Sequence, residues 1–278
     1  MYKLLNANFY RLIKNKIFWL TIIATLIMAC MLLYIQDLSN GIETILFKHV
    51  GASGIFISIF TSLFVGLEYA NGTIRNKIIV GHSRIKVYLS NLIVSITVGI
   101  ILEIIYMVTV FTVGIPICGG LQIATSQFII ILLNITMIIV TYSSIFNCIT
   151  LLCSEITMST IIGIILILVM FLMEEIIATT AFSEKYRYSI TRDEQGTITK
   201  EIIGINTSYP GETRKKIAQT ILYIMPNGQS DLISTNVHEQ LMFKEEPWNT
   251  TNLLWYSFGT IIVINAIGMY YFDKKELK

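Results

Sequence analysis

The chain has 278 residues, of which 54% are hydrophobic and only 14% charged. A soluble domain carries about 25% charged residues, so this composition excludes an ordinary soluble globule. A net charge of +2 is too small to argue for a nucleic-acid partner.

Residues 2–16 come first. Leu5, Phe9, Leu12 and Ile13 recur at helical spacing, with Lys3, Arg11 and Lys14 largely opposite, which predicts a basic interfacial helix. Six apolar runs follow, the pattern of a multi-pass helical membrane protein. They are predicted at about 17–35, 53–67, 87–113, 128–152, 158–173 and 253–271. Polar residues at 36–41, Glu68, Pro116, the short turn at 154–157 and Glu174-Glu175 read as their stop signals. The first run lacks a small-residue cleavage site and is expected to remain as a span.

Lysine and arginine set the orientation. With the N-terminus in the cytoplasm, Lys3, Arg11, Lys14, Lys16, Arg75, Lys77, Arg84, Lys86, Lys274, Lys275 and Lys278 are inside, and Lys48 alone occupies a short outer loop. Both termini are then cytoplasmic. The chain divides into residues 1–177 (the interfacial helix and spans one to five), an extracellular insertion at 178–250, and 251–278 (span six and a cytoplasmic tail). The insertion reads as strand, turn and strand over 188–200, then a helix from Glu212 to Leu222 closed by Pro226-Asn-Gly228. The expected fold is an all-α membrane protein with a small α+β insertion.

The loop between spans two and three holds a second short amphipathic helix. Gly72 frees Thr73 to act as its N-cap, Ile74, Ile78 and Ile79 form one face, and Arg75, Asn76 and Lys77 the other. Gly81 is placed as its C′ residue and Ser83 as the cap of span three. A helix tied to two spans can pass motion to both.

Glu68-Tyr-Ala-Asn-Gly-Thr-Ile-Arg-Asn-Lys77, then Gly81-His-Ser-Arg84 and Tyr88-Leu-Ser-Asn91, resemble the same region of type-2 ABC exporter permeases. The nearer likeness is to the bacterial branch that includes bacitracin and lantibiotic self-protection permeases and sodium or peptide exporters. The order of elements, and Tyr223-Ile-Met-Pro-Asn-Gly-Gln229 before the last span, fit as well. The motif covers about 25 residues, and the insertion resembles no known family. The resemblance implies a non-enzymatic transport subunit in a bacterial plasma membrane that exports an amphipathic compound such as an antimicrobial peptide. It implies a second permease chain, identical or related, and cytoplasmic ATPase partners holding ATP and Mg²⁺. This chain itself has no G-x-x-x-x-G-K-[ST] loop. Coupling to the ATPase would fall to Glu68, Gly72, Thr73, Arg75, Lys77, Gly81 and Arg84.

Other chemistry is sparse. Glu103 is the one acid deep in a predicted span, where a carboxylate is costly unless protonated, paired or wet. With Asn134 and Asn147 it is a candidate for the translocation pathway. It also leaves open a membrane enzyme working through Glu103 or Glu174, or a non-transporting sensor or scaffold. His49, His82 and His238 form no metal-ligand pattern. Cys30, Cys118, Cys148 and Cys153 form no C-x-x-C and read as small core residues.

Overall fold

In a computed structural model, the described residues are 1–35, 41–153, 155–192, 198–243 and 250–276. The stop signals expected at 36–40 and 154, and the hairpin turn at 193–196, lie outside them. The chain is a helical membrane protein: among the described residues six helices are long and apolar enough to cross a bilayer, at Lys16–Ile35, Ile42–Ala70, Arg84–Ile117, Thr125–Cys153, Ile156–Ala181 and Thr251–Lys274.

Helix α1 (Tyr2–Lys14) precedes the first span, α2 (Lys16–Ile35). Of the expected Leu5, Phe9, Leu12 and Ile13 face, Leu12 is buried, Leu5 and Phe9 are half-buried and Ile13 is exposed; the fully buried stripe is Leu4, Asn8 and Leu12. The stripe is turned because Asn8 and Arg11 have polar partners inside the protein.

The second span begins earlier than predicted. A short helix, α3 (Ile42–Lys48), bends at His49 into α4 (Val50–Ala70). Ile42, Ile45, Leu46 and Phe47 are fully buried. Glu43, equally buried, accepts backbone N–H bonds from Gln122 and Ile123, so its charge does not end the apolar segment. Helix α5 (Thr73–Ile79) then leads to α6 (Arg84–Thr109). The third span does not stop before Pro116. A π turn at Val110–Gly114 shifts the register, and Pro116 falls in the first turn of α7 (Ile115–Cys118), where its missing N–H leaves no bond unmade.

Helix α8 (Thr125–Cys153) is the central post, packed against α4, α6, α9 (Ile156–Ala181) and α12 (Thr251–Lys274). Ile131, Ile135, Ile138, Tyr142 and Phe146 carry its buried face at helical spacing. Small residues bring neighbours close: a Cβ at Gly99 would lie 2.5 Å from Ile139, and one at Gly163 2.5 Å from Ser58 Oγ. The fifth span runs past Glu174-Glu175 to Ala181, because Glu174 is half-buried against the segment that follows.

That segment differs from expectation in one respect. The predicted hairpin is present as antiparallel β1 (Tyr186–Arg192) and β2 (Ile198–Ile205), as is helix α10 (Glu212–Ile224). Pro226, however, starts a further helix, α11 (Pro226–Phe243), instead of closing the block. Proline suits a first helical turn. α11 folds back onto α3, α4, α8 and α9, so these 18 residues of the expected insertion are packed into the bundle. Tyr142 donates to Asn227 Oδ1, and Ser257 donates to Gln229 Oε1 at 2.7 Å. These bonds tie α11 to α8 and α12.

Candidate functional site

The end of α4, all of α5 and the start of α6 meet α1 at one end of the bundle. The turn into α5 needs a left-handed residue, supplied by Gly72 (φ +64°). Thr73 is the first helical residue and makes no side-chain cap, contrary to its expected N-cap role. At the other end Gly81 (φ +98°) is the C′ residue, with Gly81 N–H bonded to Ile78 O and His82 N–H to Lys77 O. Ser83 Oγ accepts from Lys86 N–H, capping α6.

Inside this frame lies a polar cluster centred on Glu68, which has no exposed surface. Glu68 Oε1 takes ion pairs from Arg11 of α1 and Lys77 of α5. Glu68 Oε2 accepts from Asn91 Nδ2 of α6 at 2.9 Å. Asn8 closes the ring, donating to Asn91 Oδ1 at 3.0 Å and accepting from Lys77 Nζ at 2.9 Å. The Arg11 guanidinium also lies 3.9 Å above the Phe64 ring. One carboxylate therefore joins four helices, and the cluster holds one more positive than negative charge. Burial pushes the Lys77 ammonium below its ordinary range, and Glu68 draws it part of the way back. Arg11 is shifted in the same direction for the same reason.

Lys77 thus turns inward, not outward as predicted, whereas Arg75 and Asn76 face out. Ile74 is buried and Ile78 half-buried, but Ile79 and Val80 are 72% and 78% exposed, which leaves an apolar tip on the polar side of α5. Arg84 sits farther along and donates to the carbonyls of Phe272 and Lys275, closing the last turn of α12. Lys275 in turn donates to Leu151 O and Leu152 O at the end of α8, where Tyr69 also bonds Leu151 O. All seven expected coupling residues therefore lie at one end of the bundle.

No protein-family model matches this chain, and no curated protein sequence matches it.

The three expected pathway residues do not share a site. Glu103 Oε2 is 2.9 Å from His49 Nε2, and both side chains are buried. The small cleft beside them is lined by Thr25, Met28, Ser53, Phe56, Ile57, Gly99 and Leu102, and by neither Asn134 nor Asn147. Asn134 donates within its own helix to Ile130 O. Asn147 is buried beside Tyr88, whose hydroxyl donates to Asn265 Oδ1 at 3.0 Å. The hydroxyls of Thr25 and Ser53 donate to Thr21 O and Val50 O, so neither is held by a base as a nucleophile would be. Among the described residues no cluster of His, Cys, Asp and Glu could hold a metal.

Arg11, Asn8, Asn91 and His49 were not singled out as functional from sequence. The signal for Asn8 was present: it interrupts the Leu4–Leu12 stripe at i+4, which marks a polar group aimed inward. His49 and Glu103 are 54 positions apart, and no local pattern connects them.

Proposed function

We propose that this chain is the permease subunit of an ABC exporter in a bacterial plasma membrane, with both termini cytoplasmic. The observation that supports this reading best is the Glu68 cluster. It pins α5 to α1, α4 and α6 while leaving Arg75, Asn76, Ile79 and Val80 exposed on the far side. A cytoplasmic ATPase subunit gripping that exposed tip would move two spans together, because packed helices shift as units. The resemblance of 68–91 to permease coupling segments points the same way. ATP and Mg²⁺ belong to the partner, and a second permease chain, identical or related, completes the pathway. The cargo is an amphipathic, peptide-like or antibiotic-like compound, and the polar surface of α10 faces the exterior. A membrane enzyme working through Glu103 is less well supported, since the hydroxyls beside it donate to backbone carbonyls.

The test is purification of the full chain from its native membrane, followed by mass analysis of what accompanies it. A Walker-type ATPase is expected. Replacing Val80 by Asp should release that ATPase while the permease stays folded. The reading is overturned if no ATPase accompanies the chain, or if a cysteine at Val80 is labelled only from outside the cell.

A further inference from the structure

His49 sits at the bend between α3 and α4, the full length of α4, about 32 Å, from the α5 end. Its hydrogen bonds define its protonation. Nδ1 lies 2.9 Å from Leu46 O, a carbonyl that can only accept, so Nδ1 carries a hydrogen. Nε2 lies 2.9 Å from Glu103 Oε2. With no hydrogen between them, that contact would set a ring lone pair against a carboxylate, so one proton bridges the two. The imidazole is held in place by Tyr106, stacked at 3.4 Å between ring centroids, and Tyr106 is anchored by donating to Ile45 O at 2.7 Å.

Glu103 Oε1 is buried and has no hydrogen-bond partner among the described residues. Glu103 also lines the cleft, whose free space of about 10 Å³ admits roughly one water molecule. Thr25 and Ser53 line the same cleft, and with their hydroxyl hydrogens donated to the backbone they have lone pairs left to accept from that water. Among the described residues no other charged side chain lines the cleft. The lining residues on α2 and α4 are otherwise uncharged, Lys48 is exposed, and Glu43 Oε1 is held by Gln122 and Ile123.

We propose that His49 and Glu103 form an intramembrane proton-binding site that holds one bridging proton and exchanges it with water through the adjoining cleft. On loading, a hydronium gives its proton to Glu103 and leaves as water. The bridging proton then rests on Nε2 or Oε2 with no other bond made or broken. On release, water carries the proton away, and Nε2 and Oε2 face each other as two acceptors. The contact between spans two and three is then repulsive, so proton occupancy sets how tightly the bend at His49 is held to α6. The site serves any function in which those two spans separate, and it does not depend on an ATPase partner.

The chain has three histidines. Replacing His82 and His238 by Asn leaves His49 as the only imidazole in the full-length protein. Nitrogen-15 NMR of this histidine-labelled chain in lipid nanodiscs then reads the two ring nitrogens directly. Nδ1 is expected to stay protonated at every pH, while Nε2 loses its hydrogen in a single transition as the pH is raised. Glu103→Gln, which removes the carboxylate and keeps its shape, should abolish or displace that transition. The proposal is overturned if Nδ1 is bare, if Nε2 shows no transition, or if the transition is unchanged in Glu103→Gln. The unmodified site supplies the first two readings, so they stand whether or not the Gln variant folds.

Discussion

Asn91 donates to Glu68 at 2.9 Å across the junction of α6 and α4, and the same carboxylate holds Arg11 and Lys77. Glu68→Gln keeps the shape and the Asn91 contact but leaves two cations without their counter-ion. Breaking a buried pair costs about 3–5 kcal/mol, and less here because Arg11 is partly exposed. The expected loss is about 2–3 kcal/mol, read as a lower melting temperature of the purified chain. Adding Lys77→Met should cost less than the sum of the two single changes, because they share one contact. Additive losses would mean that the cluster is not a unit.

Asp231 on α11 gives a pH signature. Burial, and then the charge of Glu175, raise its carboxyl above the ordinary 3.8. Between 3.8 and that raised value the folded chain keeps a proton that the unfolded chain has lost. Stability therefore falls as pH rises through this window. Asp231→Asn should be more stable than the wild type at neutral pH, and the advantage should vanish in acid below the window. Melting curves at the two pH values decide it; an Asn variant weaker at neutral pH would refute the assignment.

Gly228 marks the tight corner between α10 and α11. A Cβ there would sit 2.6 Å from Leu222 O, a backbone atom that cannot rotate away. Gly228→Ala should cost about 1–3 kcal/mol by overpacking. Gly120→Ala, with nothing within 4 Å of the added carbon, is the matched control and should melt close to the wild type.

Arg84 fastens the last turn of α12 through Phe272 O and Lys275 O. A cation at a helix C-terminus contributes up to about 1 kcal/mol, equivalent to about fivefold in an opening equilibrium. Arg84→Gln should speed hydrogen exchange by about that factor in the last turn of α12, with the first turn unchanged. Equal acceleration along the helix would point to global loosening instead.

The spans were legible because apolar runs of this length have one physical outlet, a bilayer or an equivalent core. Their ends were not. Pro116 and Glu174 read as stops and Glu43 lies ahead of the predicted second span, and each is accommodated by something distant or local: a π turn, packing against α11, and the Gln122 and Ile123 amides. Helix α11 was hidden because Pro226-Asn-Gly has turn composition, and the tertiary partners Tyr142 and Ser257 that hold its first turn are distant in sequence. At the candidate site, Gly81 and Ser83 announced their caps locally. The inward turns of Lys77 and Arg11 depended on Glu68, a partner that helical periodicity does not reveal.

Helix α5 hangs on two left-handed glycine joints, which by themselves would let it swing. The Lys77 ammonium, clasping Glu68 and Asn8, and the buried Ile74 side chain hold it against that swing. Under the proposed function, whether a push at Val80 reaches the bilayer as torque or dissipates as slack would then turn on a side-chain cation working beside a small apolar anchor, a clutch that engages through electrostatics as well as through bulk.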